Sequence, residues 1–125
     1  MNAPSLTVAR RYEGLECPLY PLIGLISRKW ALDVIYHLHE TPSPLRFREL
    51  QRRIQPVVTT KELTARLREL ESAGLVERRS YDEAIPHVEY ALTPGGASLQ
   101  PLLLELLDWS RNEWSQNRAC DQYER

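Results

Sequence analysis

The segment from Thr59 to Gly74 constrains the fold most, because it predicts one helix with a defined start, a defined end and a single buried face. Thr59 and Glu62 match a capping box, in which the threonine hydroxyl bonds a first-turn amide and the glutamate bonds back to the cap. Gly74 suits the left-handed residue that ends a helix. At about 100° per residue, three leucines share a narrow arc: Leu63, Leu67 and Leu70. We therefore expect this arc to face a core and the opposite arc to face water.

The outer arc of the same helix has polar and basic side chains. Lys61 and Arg68 lie on it, with Thr64 on its flank and Thr60 at its edge. Short polar groups near a helix start, with cations further along, suit contact with base edges in a major groove. Arg66 lies nearer the core arc, so we expect it to contact a phosphate or to form an ion pair within the protein. Many surface helices have such a stripe, so the flanking segments must indicate whether this helix contacts DNA.

The chain before Thr59 predicts three helices. Apolar residues at helical spacing begin at Pro18 and predict two helices, joined by a bend at residues 27–29. The proline-containing segment 41–44 ends the second of them. A short strand is expected in the link at residues 45–47, and a third helix is predicted over residues 48–54.

The chain after Gly74 predicts a β-hairpin and a last helix. Strands are expected over residues 75–81 and 87–92, the second with clear alternation. The last helix is expected over residues 93–116, with Thr93 as its cap and a proline in its first turn. The whole order predicts a mainly α chain with a small β-hairpin, that is, a winged helix-turn-helix domain with terminal dimerisation helices.

The 125 residues leave room for one compact domain. We expect residues 1–16 to form a flexible N-terminal arm, residues 17–116 the domain with its dimerisation helices, and residues 117–125 a C-terminal tail. No apolar run approaches the length of a membrane span, and the N-terminus lacks the apolar stretch of a secretory signal. The expectation is a cytoplasmic protein that does not contact a membrane.

The distribution of charge favours a polyanionic partner, although the net charge is −1. Between Arg46 and Arg79, nine Lys/Arg against five Glu give +4, and the rest of the chain is −5. The residues expected to contact bases are Thr59, Thr60, Lys61, Thr64 and Arg68. The residues expected to contact phosphates are Arg48, Arg52, Arg53, Arg66, Arg78 and Arg79. For any one of these arginines, a merely solvated basic face is an equally good interpretation.

These segments together resemble the HxlR-type transcription regulators, a branch of the winged helix-turn-helix proteins close to the MarR-type. The matching pieces are Cys17-Pro18, Lys29-Trp30, TTKELTARLRELE at 59–71, AGLVER at 73–78, Tyr81, VEYALT at 88–93 and Ser98-Leu99. The resemblance implies a dimer built from terminal helices on an inverted-repeat operator, with the Thr59 helix in the major groove; we expect a repressor. The chain departs from the family pattern at Ser27-Arg28, Ile85-Pro86 and Gly95.

The last helix has more leucines than one core face of a small domain requires, since they cover over half its circumference. Burial against the domain on one side and against a second copy on the other accounts for them. The expected dimer interface comprises Leu22, Leu102, Leu103, Leu106, Leu107 and Trp109. The alternative is a helix buried wholly within its own subunit.

Cys17 lies where, by the resemblance, several relatives have a redox-sensing cysteine. A thiol at a helix start is stabilised as the thiolate and can react with oxidants or electrophiles. The alternative is a packed, unreactive cysteine. His37 and His39 point to different sides of a helix and make a poor metal pair, and no set of nucleophile and base is visible. We therefore expect no metal, no cofactor and no enzymatic activity.

The sequence thus predicts a DNA-binding transcription regulator that acts as a homodimer, with an oxidant, an electrophile or a small ligand as candidate effector. The alternative, from another functional class, is a winged-helix protein-interaction module that does not bind DNA.

Overall fold

The computed structural model describes residues 18–54 and 58–114 and has the predicted order of helices and strands. The elements are α1 (Leu19–Ile26), α2 (Ala31–Glu40), β1 (Leu45–Arg46), α3 (Phe47–Arg53), α4 (Thr60–Ser72), β2 (Val76–Tyr81), β3 (His87–Leu92) and α5 (Pro94–Trp109), with a short π-helix, Ser110–Trp114, after α5. The predicted N-terminal arm, Cys17 and the predicted C-terminal tail lie outside the described residues. The mainly α winged helix-turn-helix fold is confirmed.

Helix α4 begins and ends as the sequence predicts. The Thr59 hydroxyl accepts a hydrogen bond from the Glu62 amide, and the Glu62 carboxylate accepts one from the Thr59 amide, both at 3.1 Å. Gly74 follows the helix with φ 78°, a conformation that glycine adopts without the penalty of a Cβ. Leu63, Leu67 and Leu70 are all buried. The inner face of α4 is therefore fixed against the core.

The core lies between α2, α3, α4 and the inner face of the sheet. Its fully buried members include Val34 and Ile35 from α2, Leu50 from α3 and Val76 from β2. Burial of each such side chain stabilises the fold by about 1.5–3 kcal/mol relative to exposure. Because α3 and α4 share this core, their packing against it fixes the angle between the two helices.

The three strands form one antiparallel sheet in the order β1-β3-β2. Strand β1 lies in the link where a short strand was expected. Leu45 pairs with Tyr90 of β3, and Arg78 of β2 pairs with Tyr90 from the other side. Leu45 and Val76 are buried on the face of the sheet that meets the core. The hairpin of β2 and β3 is called the wing below.

Helix α5 begins at the predicted cap. The Thr93 hydroxyl accepts a hydrogen bond from the Gly96 amide at 3.0 Å and donates one to the Gly74 carbonyl at 2.6 Å. A Cβ at Gly96 would overlap the Leu75 carbonyl, so α5 starts close to the chain that leaves α4. The α-helix ends at Trp109, earlier than the predicted residue 116. Within residues 18–54 and 58–114, no helix is both long enough and apolar enough to span a membrane.

Candidate DNA-binding surface

The outer face of α4 brings the predicted base-contacting residues together. Thr60, Thr64 and Arg68 follow one another at intervals of four residues, and Lys61 lies beside this row. Thr60, Lys61 and Arg68 are exposed, while Thr64 is half-buried. Thr59 is exposed at the N-cap. An exposed polar row of this kind, opposite a buried leucine row, fits a groove of duplex DNA.

The end of α3 is bonded to the start of α4 by Gln51, a residue that was not among those selected from the sequence. Its side-chain amide donates to the Val58 carbonyl at 3.1 Å and to the Thr60 hydroxyl at 3.3 Å. The exposed arginines Arg48 and Arg52 line the cleft between α3 and the start of α4. Arginine side chains beside a helix N-terminus favour the binding of a phosphate.

Arg53 is also exposed, at the end of α3. The helix that precedes α4 therefore has three exposed arginines. In a helix-turn-helix this first helix crosses the DNA backbone. Their position agrees with contacts that contribute affinity without sequence preference.

Arg78 and Arg79 are adjacent in the sequence but project from opposite faces of the wing. Arg78 lines a cleft between α4 and the sheet together with Thr64, Arg68 and Tyr90. Arg79 points to the opposite face of β2, since side chains alternate along a strand. Its guanidinium bonds the Glu77 carboxylate at 2.9 Å. This bond raises the pKa of Arg79 and lowers that of Glu77.

Arg66 forms the internal ion pair that was one of its two expected roles. Its Nη2 lies 3.2 Å from Glu69 Oε1, and its side chain is only 17% exposed. A half-buried guanidinium that already faces a carboxylate is poorly placed to reach a phosphate. The geometry therefore favours the ion pair over the phosphate contact at this position.

Two glutamates of α4, Glu62 and Glu69, contact the bend between α1 and α2. Trp30 Nε1 donates to Glu62 Oε2 at 3.0 Å. Arg28 Nη1 lies 3.4 Å from Glu69 Oε1, in the same bend. The Trp30 bond, together with the bonds from Thr59, holds the pKa of Glu62 at about 2. The sequence interpretation did not foresee these contacts.

The residues predicted to form the dimer interface divide into two groups by their solvent exposure. Leu22 and Leu103 are half-buried and pack against the core of their own chain. The other four are exposed: Leu102, Leu106, Leu107 and Trp109, with 61% exposure at Leu102 and 55% at Trp109. Exposed apolar residues also occur on α1, at Leu19, Tyr20 and Ile23. Apolar patches of this kind on soluble proteins mark interaction surfaces.

The tip of the wing has acidic and apolar residues. Asp82 and Glu83 are exposed there, and Ile85 is exposed beside them. Carboxylates repel DNA phosphates, so the tip is a poor DNA contact, and the nearest suitable wing cation is Arg78. Among the described residues, no cluster of His, Cys, Asp and Glu side chains could hold a metal ion.

The comparisons with known proteins agree with this geometry. The family model "HxlR-like helix-turn-helix" matches residues 25–118. An HTH-type transcriptional regulator of Halalkalibacterium halodurans is 43% identical over 94 residues, which cover 75% of this chain and 81% of that protein.

Two solved structures of regulators are similar in fold and in sequence. The reduced form of the transcriptional regulator YodB from Bacillus subtilis superposes with a TM-score of 0.70 at 32% identity, covering 79% of this chain and 95% of that one. The redox regulator HypR in its oxidized form superposes with a TM-score of 0.63 at 37% identity, covering 78% and 97%. On the match of the family model and of these relatives, the chain belongs to the HxlR-like helix-turn-helix family of DNA-binding transcription regulators.

Proposed function

We propose that the protein is a repressor that binds an inverted-repeat operator as a homodimer, with one α4 in the major groove of each half-site. The main support is the geometry of α4. Its leucine face is buried in the core, while Lys61 and Arg68 are exposed on the opposite face and Thr60 is exposed at the edge of that face. A helix held in this way can enter a groove without unfolding any part of the domain.

The roles of the side chains follow from their chemistry. Lys61 and Arg68 can donate to the guanine O6 and N7 acceptors, and the hydroxyl of Thr64 can donate or accept at a base edge. Thr59 and Thr60 lie at the helix start, where the amides and the helix dipole favour a phosphate nearby. The phosphate contacts on either side come from four exposed arginines: Arg48, Arg52, Arg53 and Arg78.

The homodimer is proposed on the apolar surface of α5 and α1. Leu102, Leu106 and Trp109 recur at helical spacing on one side of α5, and all three are more than half exposed. A second copy related by a two-fold axis would bury this surface. The same axis would place two α4 helices in opposite orientations, which is the symmetry of an inverted repeat.

The direct test is a mobility-shift titration with the DNA upstream of the coding sequence. We expect Lys61→Ala and Arg68→Ala to lose the preference for this DNA over a scrambled duplex, because each removes a base contact from both half-sites. Both variants remain folded dimers, since both side chains are exposed. Undiminished affinity in both variants would refute the assignment of base contacts to α4.

A protein-interaction module without DNA binding is the competing hypothesis. A dimer that neutralises phosphates loses duplex affinity steeply as salt rises, because it releases condensed counterions. An interaction module shows no such dependence. A salt titration of the wild-type protein with any duplex therefore separates the two hypotheses.

A thiol-responsive regulator is a second form of the proposed function, favoured by the likeness to the redox regulator HypR. Cys17 is the candidate sensor, although it lies outside the described residues. If Cys17 is the sensor, diamide changes the operator affinity of the wild type and of Cys120→Ser but not of Cys17→Ser. If Cys17 is a packed, unreactive residue, diamide leaves the operator affinity of Cys17→Ser and the wild type equal.

A further inference from the structure

The bend between α1 and α2 contacts α4 at two places along one side of the helix. Trp30 bonds Glu62 in the first turn of α4, and Arg28 pairs with Glu69 further along. Glu62 and Glu69 are seven residues apart and lie on the same side of the helix, about 10 Å from each other along its axis. The bend therefore follows the side of α4 for two turns.

Glu62 joins this bend to the cap of the DNA-facing helix. One carboxylate oxygen, Oε1, accepts from the Thr59 amide at 3.1 Å, and the other, Oε2, accepts from Trp30 Nε1 at 3.0 Å. A carboxylate with a donor on each oxygen has little freedom to rotate. Its orientation is thus set by the α4 cap and by the Trp30 ring at once.

Trp30 itself is held in an uncommon conformation. Its φ is 77°, in the left-handed region that bulky residues rarely adopt. The ring is buried, and Lys29 Nζ lies 5.1 Å from its centroid. A residue remains in such a conformation only where its surroundings determine it from several sides. Here the ring packing and the bond to Glu62 both contribute to that determination.

We propose that Trp30 is a positioning residue for operator recognition, which acts through Glu62 to fix the first turn of α4 on the protein core. The inference rests on the proposed function, since it concerns how that function achieves its specificity. The first turn of α4 contains Thr60 and Lys61. Loss of the Trp30 bond allows this turn to shift, and base contacts tolerate shifts of only about 0.5 Å. Phosphate contacts from α3 and β2 do not depend on this bond.

The test uses Trp30→Phe, which keeps a buried aromatic ring but removes the N–H donor together with part of the ring volume. The probes are the tightest-binding duplex that the wild-type protein selects from a randomised pool and a scrambled duplex of the same composition. We expect affinity for the selected duplex to fall by about tenfold and affinity for the scrambled duplex to change by less than about twofold. Glu62→Gln, which cannot accept both bonds, produces the same pattern and serves if Trp30→Phe does not fold.

A double variant tests whether the two residues act as one unit. Combining Trp30→Phe with Glu62→Gln should lower the affinity for the selected duplex no further than the larger single effect, because the second change removes a bond that is already lost. Ile35→Val, which removes a buried methyl group elsewhere in α2, is the control for lost stability. Partial unfolding reduces the binding of both duplexes equally and leaves their affinity ratio unchanged.

The inference is wrong if Trp30→Phe leaves the affinity ratio of the two duplexes at the wild-type value, or if the two single effects add. If the wild-type protein itself does not distinguish the two duplexes, the proposed function fails and this inference fails with it. The wild-type measurement therefore separates the two failures.

Discussion

Arg78 and Arg79 offer a matched pair for testing which face of the wing meets DNA. They are adjacent on β2 and have the same charge, but they project from opposite faces of the strand. Arg78 lies in the cleft with Thr64 and Arg68 of α4, whereas Arg79 bonds Glu77. We expect Arg78→Ala to remove a phosphate contact and Arg79→Ala to remove none.

The size of the effect follows from counterion release. Each neutralised phosphate contributes about 0.9 to the slope of log affinity against log salt. A homodimer loses two such contacts in Arg78→Ala, so its slope becomes less steep by about 1.8. Between 50 mM and 200 mM salt this difference amounts to about tenfold in affinity. Arg79→Ala keeps the wild-type slope.

Fluorescence anisotropy with the upstream DNA and with a scrambled duplex, at several salt concentrations, measures these slopes. The loss in Arg78→Ala should be similar for both duplexes, because a phosphate contact has no sequence preference. Equal slopes for the two variants, or a shallower slope for Arg79→Ala, would refute the placement of α4 and the inner face of the wing against DNA.

Two further pairs of variants, each a test and its control, probe the fold and the proposed dimer. Gly96→Ala should lower the free energy of unfolding in urea by about 1–3 kcal/mol, because its Cβ overlaps the Leu75 carbonyl. Gly95→Ala is the control, since its Cβ meets nothing nearer than 3.7 Å, and an equal loss in both would contradict the packing. Leu106→Glu should give a folded monomer in analytical ultracentrifugation, because it places a charge in the proposed interface, while Glu105→Gln stays dimeric. A dimeric Leu106→Glu would place the interface elsewhere.

The sequence predicts well those features that depend on neighbours close in the chain. The start of α4 at Thr59 rests on a hydroxyl and a carboxylate three residues apart, and its end rests on Gly74. The predicted and observed bounds of β3 coincide at both ends, because its alternation of apolar and other residues is uninterrupted. The buried and outer faces of α4 also follow directly from the helical period.

Features that depend on residues far apart in the chain could not be predicted in this way. Trp30 and Glu62 are 32 residues apart, and nothing local to either indicates the bond between them. Gln51 bonds across the turn to Val58 and Thr60, which requires the angle between α3 and α4 to be known. The alternation of β2 predicts that Arg78 and Arg79 diverge, but only the tertiary packing shows which of them lies beside α4.

The net charge of −1 is a poor guide to this protein because several of its glutamates are bonded to other groups of the protein. Four of the five glutamates between residues 46 and 79 accept hydrogen bonds or form ion pairs within the protein: Glu49, Glu62, Glu69 and Glu77. Two arginines, Arg66 and Arg79, are paired with those carboxylates. We expect the field toward the proposed duplex to come mainly from the exposed cations Arg48, Arg52, Arg53, Lys61, Arg68 and Arg78, with Glu71 as the carboxylate in the cleft of Arg68 and Arg78. Since electrostatic attraction decays over about 8 Å in physiological salt, we expect these local cations to determine the affinity for DNA more than the acidic remainder of the chain does.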